Sequence, residues 1–416
     1  MKVLVIGSGG REHAVAEAFA RSDAVSKVKV APGNAGIARS FETLPLNNME
    51  QQLQWCESNR PDLVFIGPEQ PLEQGMADRL NQMGIPCVGP SRAAARIESS
   101  KIFAKRLMQK YNVPTAAFFH SYSLDEAMDY VADSCPYPAV IKADYLAAGK
   151  GVIIVQNQAE AEDALLQLLA NSSESSPKGV VIEEFLQGWE VSLFAVTDAV
   201  DYVTTLFSQD HKQLLDGDRG PNTGGMGAFA PVWEAEPWRS QIHQEIVEPI
   251  LKAMREEGCP FAGFLYCGLM ITSAGAKVVE FNCRLGDPEA QALLPLLDTD
   301  FYELCIAITQ DRVCSLNLQW KDETCVAVIL ASDGYPGSYE KGMPITISSP
   351  LYNRVYYAGV AQEDGTLITN GGRVLCVSAL GKDREAARHA AYNDINKINF
   401  ANKRFRRDIA QRNNKL

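Results

Sequence analysis

The chain has 416 residues, 46% of them apolar, and a formal net charge of −12. That length predicts roughly two to four domains with sizeable cores, and the lack of an apolar run of about 18 residues excludes a transmembrane helix. The acidic balance argues against a nucleic-acid binder but leaves room for local basic sites that take small anions.

The ten cysteines are scattered without a C-x-x-C pair, and the five histidines form no ligand pattern. A cytoplasmic protein with reduced thiols is therefore expected. Residues 2–6 read as a strand and lack the length and cleavage site of a signal peptide. The turn Gly7-Ser8-Gly9-Gly10 follows, then a helix over 11–21 with Val15, Ala18 and Phe19 on its inner face. The turn departs from the dinucleotide fingerprint, because Glu12 holds the third glycine position. What remains is a helix N-terminus with free N–H groups beside Arg11 and His13, suited to an anion. A tight turn with solvated polar residues is the alternative. Strands at 27–30, 63–67 and 86–89 alternate with helices at 49–59 and 72–82, which predicts a parallel sheet. The loops leaving its carboxyl ends make Asn34 and Glu69 candidate ligand contacts.

A helix carrying Lys101 runs to about residue 111 and is ended by Pro114. Strands at 137–143 and 147–155, a helix at 159–169 and further strands at 180–186 and 190–196 predict a small α+β lobe. Lys142 and the small-residue loop with Gly149, Lys150 and Gly151 could hold phosphates there. The loop does not match the Walker pattern, since Gly151 follows Lys150. Residues 181–186, including Glu183, Glu184, Phe185 and Leu186, could offer backbone to an adenine edge, and Glu190 could accept ribose hydroxyls.

Residues 210–227 form a long polar loop whose glycines Gly224, Gly225 and Gly227 argue for close backbone approach. After it, residues 277–281 read as a strand. Glu280, Asn282 and Arg284 share one face of this extended segment. A carboxylate and an amide oxygen suit a hard cation, and the arginine suits a carboxylate or phosphate. A solvated strand face with an ion pair is the alternative. Asp287 is expected to cap a helix over 287–297, with Pro288 at its first position, and a second helix is expected at 300–310. From residue 323 a separate α+β pattern begins: strands at 325–331, 354–360 and 374–379, a turn at 370–372 and a helix at 383–397. The basic run 403–407 reads as a solvated helix face or a packing contact.

Lys101, Lys142, the loop 147–151, residues 183–186, Glu190 and Glu280-x-Asn282 occur in this order in the ATP-grasp superfamily, which the chain resembles. More narrowly it resembles the glycinamide ribonucleotide synthetase family. The carrying segments are residues 9–13, 31–36, 142–151, 208–212, 220–227, 280–289 and 369–374.

The resemblance implies an α/β and α+β multidomain fold: a Rossmann-like domain at 1–100, an ATP-grasp domain at 101–322 with a small mobile lobe at about 123–188, and an α+β domain at 323–416. It implies ligation of glycine to 5-phosphoribosylamine through a glycyl phosphate, giving glycinamide ribonucleotide, ADP and phosphate in purine biosynthesis. ATP would meet Lys101, Lys142, Gly149, Lys150, Gly151, Glu183, Glu184, Phe185, Leu186 and Glu190. Glu280 and Asn282 would hold Mg²⁺, with Mn²⁺ as a substitute. Arg284, Asp210 and Asp287 would act on glycine and the developing charge. Gly9, Gly10, Arg11, Glu12, Asn222, Thr223, Gly224, Gly225 and Met226 would contact substrate.

A cytoplasmic monomer acting on small molecules, without nucleic acid or membrane partners, is expected. Tyr145, Trp189 and Ser99 depart from the family pattern, Tyr145 where a glycine is usual in the phosphate loop. Another ATP-grasp carboxylate–amine ligase is the nearest alternative. A dinucleotide-dependent oxidoreductase fits the first turn but leaves the middle lobe unexplained.

Overall fold

A computed structural model describes residues 1–146, 151–169 and 178–411. Five parallel strands open it, in the order Glu42–Thr43, Lys27–Pro32, Lys2–Gly7, Leu63–Ile66, Cys87–Val88. The central strand Lys2–Gly7 is buried on both faces, as a parallel sheet under crossover helices requires. Val3 and Val5 enter one core with Val15 and Phe19, while Leu4 and Ile6 enter the other with Leu53 and Leu80. The helix expected at 72–82 is instead a pair, Glu69–Glu73 and Met76–Gln82, parted at Gly75 with φ of 83°.

The helix expected to carry Lys101 through from Glu98 is also broken, into Arg92–Ser99 and Lys101–Lys110. Ser100 makes the break. Its backbone is extended, and its Oγ accepts the Phe103 N–H at 3.1 Å as an N-cap. The same Oγ donates to Asp144 at 2.9 Å, and the Ile102 N–H donates to that carboxylate at 2.9 Å.

Asp144 belongs to the small lobe, an antiparallel sheet in the order Phe118–Ser121, Val180–Glu184, Ala139–Ala143, Val152–Val155. The helices Leu124–Asp133 and Gln158–Leu168 cover it, and together they enclose a separate core around Val131, Ile141, Leu165 and Ile182. Tyr145 packs on this core and donates to the Leu168 carbonyl at 3.1 Å. Its bulk is thus taken up by the lobe itself.

A second antiparallel sheet orders Tyr202–Thr204, Trp189–Asp198, Ala262–Thr272, Gly275–Asn282. Residues 233–256, unassigned by the sequence reading, form short helical turns and the helix Glu248–Glu256.

The last large sheet crosses the expected boundary near residue 323. Its order is Gln209–Asp210, Gly227–Ala230, Thr324–Ala331, Arg373–Gly381, Arg354–Tyr357. Within Thr324–Ala331, Val326, Val328 and Leu330 enter one of the two large cores, and Cys325, Ala327 and Ile329 the other. Both cores therefore run from the parallel sheet to the last one. The strand expected over 354–360 stops at Tyr357. A separate hairpin follows, Val360–Glu363 with Thr366–Thr369. Its turn, Asp364-Gly365, has positive φ at both residues, which that pair tolerates.

Candidate active site

A cavity of about 500 Å³ lies between the small lobe, the parallel sheet and the two antiparallel sheets. Its metal-binding candidates stand on the strand Gly275–Asn282. The pairing with Ala262–Thr272 slips between Leu269–Val278 and Gly268–Glu280, leaving Val279 as an extra residue. This bulge turns the Val279 carbonyl to the Lys142 Nζ, which donates to it at 2.9 Å. Burial pushes the Glu280 carboxyl up, but Lys212, Lys101, Lys142 and Arg284 outweigh it and hold the group at about 2. Lys212 lies 3.0 Å from Glu190 and 3.7 Å from Glu280. Asn282 presents its Oδ1 beside them and accepts from Arg284 at 3.3 Å.

The nucleotide side is built from the small lobe. Lys142 is buried and paired with Glu183 at 3.0 Å, and Glu183 also meets Lys105 at 3.2 Å. The Glu183 side chain is thus a counter-ion to lysines, leaving only its backbone for an adenine. Lys105 escaped the sequence reading; burial lowers it to about 8 against the pull of Glu183. Glu184 is likewise committed, to the Ala117 N–H at 3.1 Å and Lys277 at 3.0 Å. Phe185, Leu186, Val140 and Met270 supply an apolar wall, with Lys101, Gly151 and Glu190 on the same cavity. Gly149 and Lys150 lie outside the described residues.

Opposite stand acidic groups. Burial pushes Asp210 and Glu289 up and Tyr266 well up. Ser192 links Tyr266 and Glu289, at 3.0 and 3.5 Å. Arg284 is not free: Glu98 holds it at 2.7 Å and Glu69 at 3.3 Å. Burial raises Glu98, whereas at Glu69 Arg284 and Arg11 outweigh burial and hold the carboxyl at about 2.

Asp287 does not cap a helix. The helix, Glu289–Leu293, starts two residues later, and the Asp287 carboxylate is taken by Gln291 at 2.7 Å and Arg373 at 3.2 Å. Arg373 also donates to the Asp287 carbonyl at 2.6 Å and to the carbonyls of Gly224 and Gly225. It reaches the cavity from the last sheet. Its place in segment 369–374 was the available signal.

The first turn divides. Arg11 lines the cavity and donates to the Leu285 carbonyl at 3.0 Å. Glu12 is instead an internal brace: it accepts the Gly9 N–H at 2.6 Å and pairs with Arg11 at 2.6 Å. The Gly9 N–H is therefore spent. Gly10 faces Gln291, whose Nε2 would lie 2.8 Å from an added Cβ. Gly9, Gly10 and Glu12 stay off the cavity wall.

Asn34 is also structural, donating to the carbonyls of Ser8, Tyr357 and Ala358 at 2.8, 2.9 and 3.0 Å.

Asn222, Thr223 and Gly224 line the cavity, but Gly225 and Met226 do not. Met226 is fully buried, and its backbone joins His211 to Ile329. The expected open loop at 210–227 is largely a hairpin, Gln213–Leu215 with Arg219–Asn222.

Family models cover most of the chain. The N domain of phosphoribosylglycinamide synthetase matches residues 1–98, its ATP-grasp (A) domain 99–290 and its C domain 325–412. The phosphoribosylamine–glycine ligase of Caldanaerobacter subterraneus subsp. tengcongensis is 43% identical over 99% of each chain. The phosphoribosylamine–glycine ligase structure from Thermotoga maritima superposes with a TM-score of 0.87 at 36% identity, covering 98% of this chain and 100% of that one. The biotin carboxylase domain of Hydrogenobacter thermophilus 2-oxoglutarate carboxylase shares the fold alone, with a TM-score of 0.71 at 15% identity over 97% and 91% of the two chains.

Fold and site together define an ATP-grasp enzyme. Within that class, the chain belongs to the phosphoribosylglycinamide synthetase family.

Proposed function

We propose that this chain is the ATP-dependent ligase that joins glycine to 5-phosphoribosylamine in purine biosynthesis. The observation that carries the reading is convergence: Lys142 of the small lobe, Lys101 of the helix beside it, the Glu280 strand, the 210–224 segment and Arg373 all meet at one cavity. A glycine carboxylate oxygen attacks the γ-phosphorus of ATP, and ADP leaves. The phosphoribosylamine nitrogen then attacks the glycyl phosphate carbonyl, loses a proton and expels phosphate. Anions must meet in both steps, so the protein's part is positioning and charge neutralisation.

Lys101 and Lys142 take phosphate oxygens, and the apolar wall around Phe185 and Leu186 takes adenine. Glu190 accepts ribose hydroxyls. Glu280 and Asn282 fit Mg²⁺, for which Mn²⁺ can substitute. They offer two oxygen donors, and no group of three or more His, Cys, Asp or Glu ligands exists among the described residues. Ions of this kind are commonly held by one or two protein carboxylates, with substrate phosphates and water supplying the rest. A bound metal would supply positive charge to the phosphates.

Arg284 keeps Nη1 for the glycine carboxylate, since that nitrogen makes its longest bond, 3.4 Å to the Leu285 carbonyl. Asp210, with Glu289 beside it, receives the glycine ammonium. Arg11, Asn222, Thr223 and Gly224 face the phosphoribosylamine. Asp287, held by Arg373, orients that wall. The enzyme acts as a cytoplasmic monomer on small molecules.

Phosphate release from ATP and Mg²⁺, measured with glycine and phosphoribosylamine omitted in turn, tests the reading. Full turnover needs both. Turnover indifferent to glycine would overturn it.

A further inference from the structure

The hairpin Gln213–Leu215 with Arg219–Asn222 joins two parts of the site. Lys212, which reaches Glu190 and Glu280, precedes it, and Asn222 and Thr223 end it. Its base is closed by the Gln213–Asn222 pair and by Thr223, whose N–H and Oγ1 donate to the Lys212 carbonyl at 2.8 and 2.7 Å.

Its outer half is held by a segment nearly two hundred residues away. Arg406 is only 1% exposed. One Nη of its guanidinium donates to the Gln213 carbonyl at 3.1 Å and to Asp218 at 2.8 Å. The other side forks onto Asp408 at 2.8 and 2.7 Å. Asp408 in turn accepts the Gly217 N–H at 2.8 Å, and the Arg407 N–H donates to Asp216 at 2.8 Å.

The segment itself is anchored. The Arg404 N–H and carbonyl bridge Ala331, at 2.9 and 2.7 Å, and Tyr392 donates to the Arg406 carbonyl at 2.7 Å. The basic run that read as a solvated face or packing contact thus contains a buried clamp.

We infer that Arg406 is a positioning residue of the ligase reaction, holding the hairpin so that Asn222 and Thr223 stand at the cavity. The inference rests on the ligase reading above. Only a planar fork satisfies Gln213, Asp218 and Asp408 together, which a lysine cannot do. Lys212 keeps its own ion pairs to Glu190 and Glu280, so loss of the clamp acts through Asn222 and Thr223, on the acceptor side of the site, and leaves the nucleotide side in place.

The test is steady-state kinetics on the whole enzyme carrying Arg406→Gln, with Asp218→Asn as a milder companion. Asp218 is at the surface with φ of 53°, a conformation asparagine tolerates. Arg406→Gln is expected to lower kcat/KM for phosphoribosylamine about tenfold or more, since small misplacements of this kind weigh heavily on rate. Asp218→Asn is expected to lower it about threefold. The KM for ATP should stay within about twofold in both, a split that general loss of structure would not give.

If Arg406→Gln does not fold, Asp218→Asn alone decides. Folded variants with phosphoribosylamine kinetics at the parent's level would overturn the inference, as would an equal loss in the ATP KM. Parent enzyme that does not ligate would instead overturn the ligase reading.

Discussion

Four cations around the half-buried Glu280 carboxylate hold it ionised against the pull of burial. An ionised carboxylate among so many cations is kept ready to bind the divalent cation proposed above. Glu280→Gln should therefore raise the Mg²⁺ concentration for half-maximal rate at least about tenfold, and an unchanged Mg²⁺ titration would remove Glu280 from the ligand set. Residues on a strand face, such as Glu280, Asn282 and Arg284, could be placed together from their spacing of two. Their partners could not. Glu98 and Glu69 reach Arg284 from distant helices; Glu69 is marked only as a candidate ligand contact at a strand's carboxyl end, and nothing local marks Glu98. Glu12 and Met226 went the other way. Both sit inside motif segments, yet Glu12 fills the space beneath Gly7, Gly9 and Gly67, and Met226 is core. Proximity in sequence to a site does not separate the residue that touches a ligand from the one that shapes the turn.

At the scale of elements, the break at Ser100 matters most. It puts Lys101 at the first position of a new helix and ties that helix to Asp144 of the small lobe. Ser100→Ala loses the cap and the Oγ bond to Asp144, leaving the Ile102 N–H on that carboxylate. It should destabilise the protein by about 1 kcal/mol in chemical denaturation and raise the KM for ATP severalfold. If neither changes, Lys101 is held by something other than this cap. Strands and helices with clear periodicity, such as Lys2–Gly7, Met49–Asn59 and Arg384–Ile395, were legible in advance because local pattern and burial agree. The helix breaks at Gly75 and Ser100 were less so. A glycine or serine inside an otherwise helical run is tolerated as often as it terminates. The Asp364-Gly365 hairpin carried a usable turn signal that was passed over. The hairpin at 213–222 carries a similar signal in Asp216-Gly217, but its support from Arg406 and Asp408 is not legible locally.

Across the whole molecule, the parallel sheet is joined to the last sheet through His13. Its Nδ1 accepts the Tyr357 N–H at 3.0 Å, and its ring stacks on Tyr357. Burial lowers its pKa from 6.5 to about 4. Between those values the unfolded chain binds the proton and the folded chain does not, so stability falls as pH drops from 6.5 towards 4. The loss from His13 reaches about 3 kcal/mol at the lower end. His13→Gln should flatten that slope in denaturation measured across this range, and an unchanged slope would show that this histidine titrates alike in the folded and unfolded chain. The seam itself was not visible in the sequence: a division at residue 323 is drawn by pattern, whereas Gly227–Ala230 pairs across it. The ligase account can be tested most directly by isotope transfer. With glycine labelled in its carboxylate with ¹⁸O, turnover with ATP and phosphoribosylamine should release phosphate carrying one labelled oxygen per molecule. Phosphate released without label would contradict activation of glycine by phosphoryl transfer, and with it the roles given to Lys101, Lys142, Glu280 and Arg284.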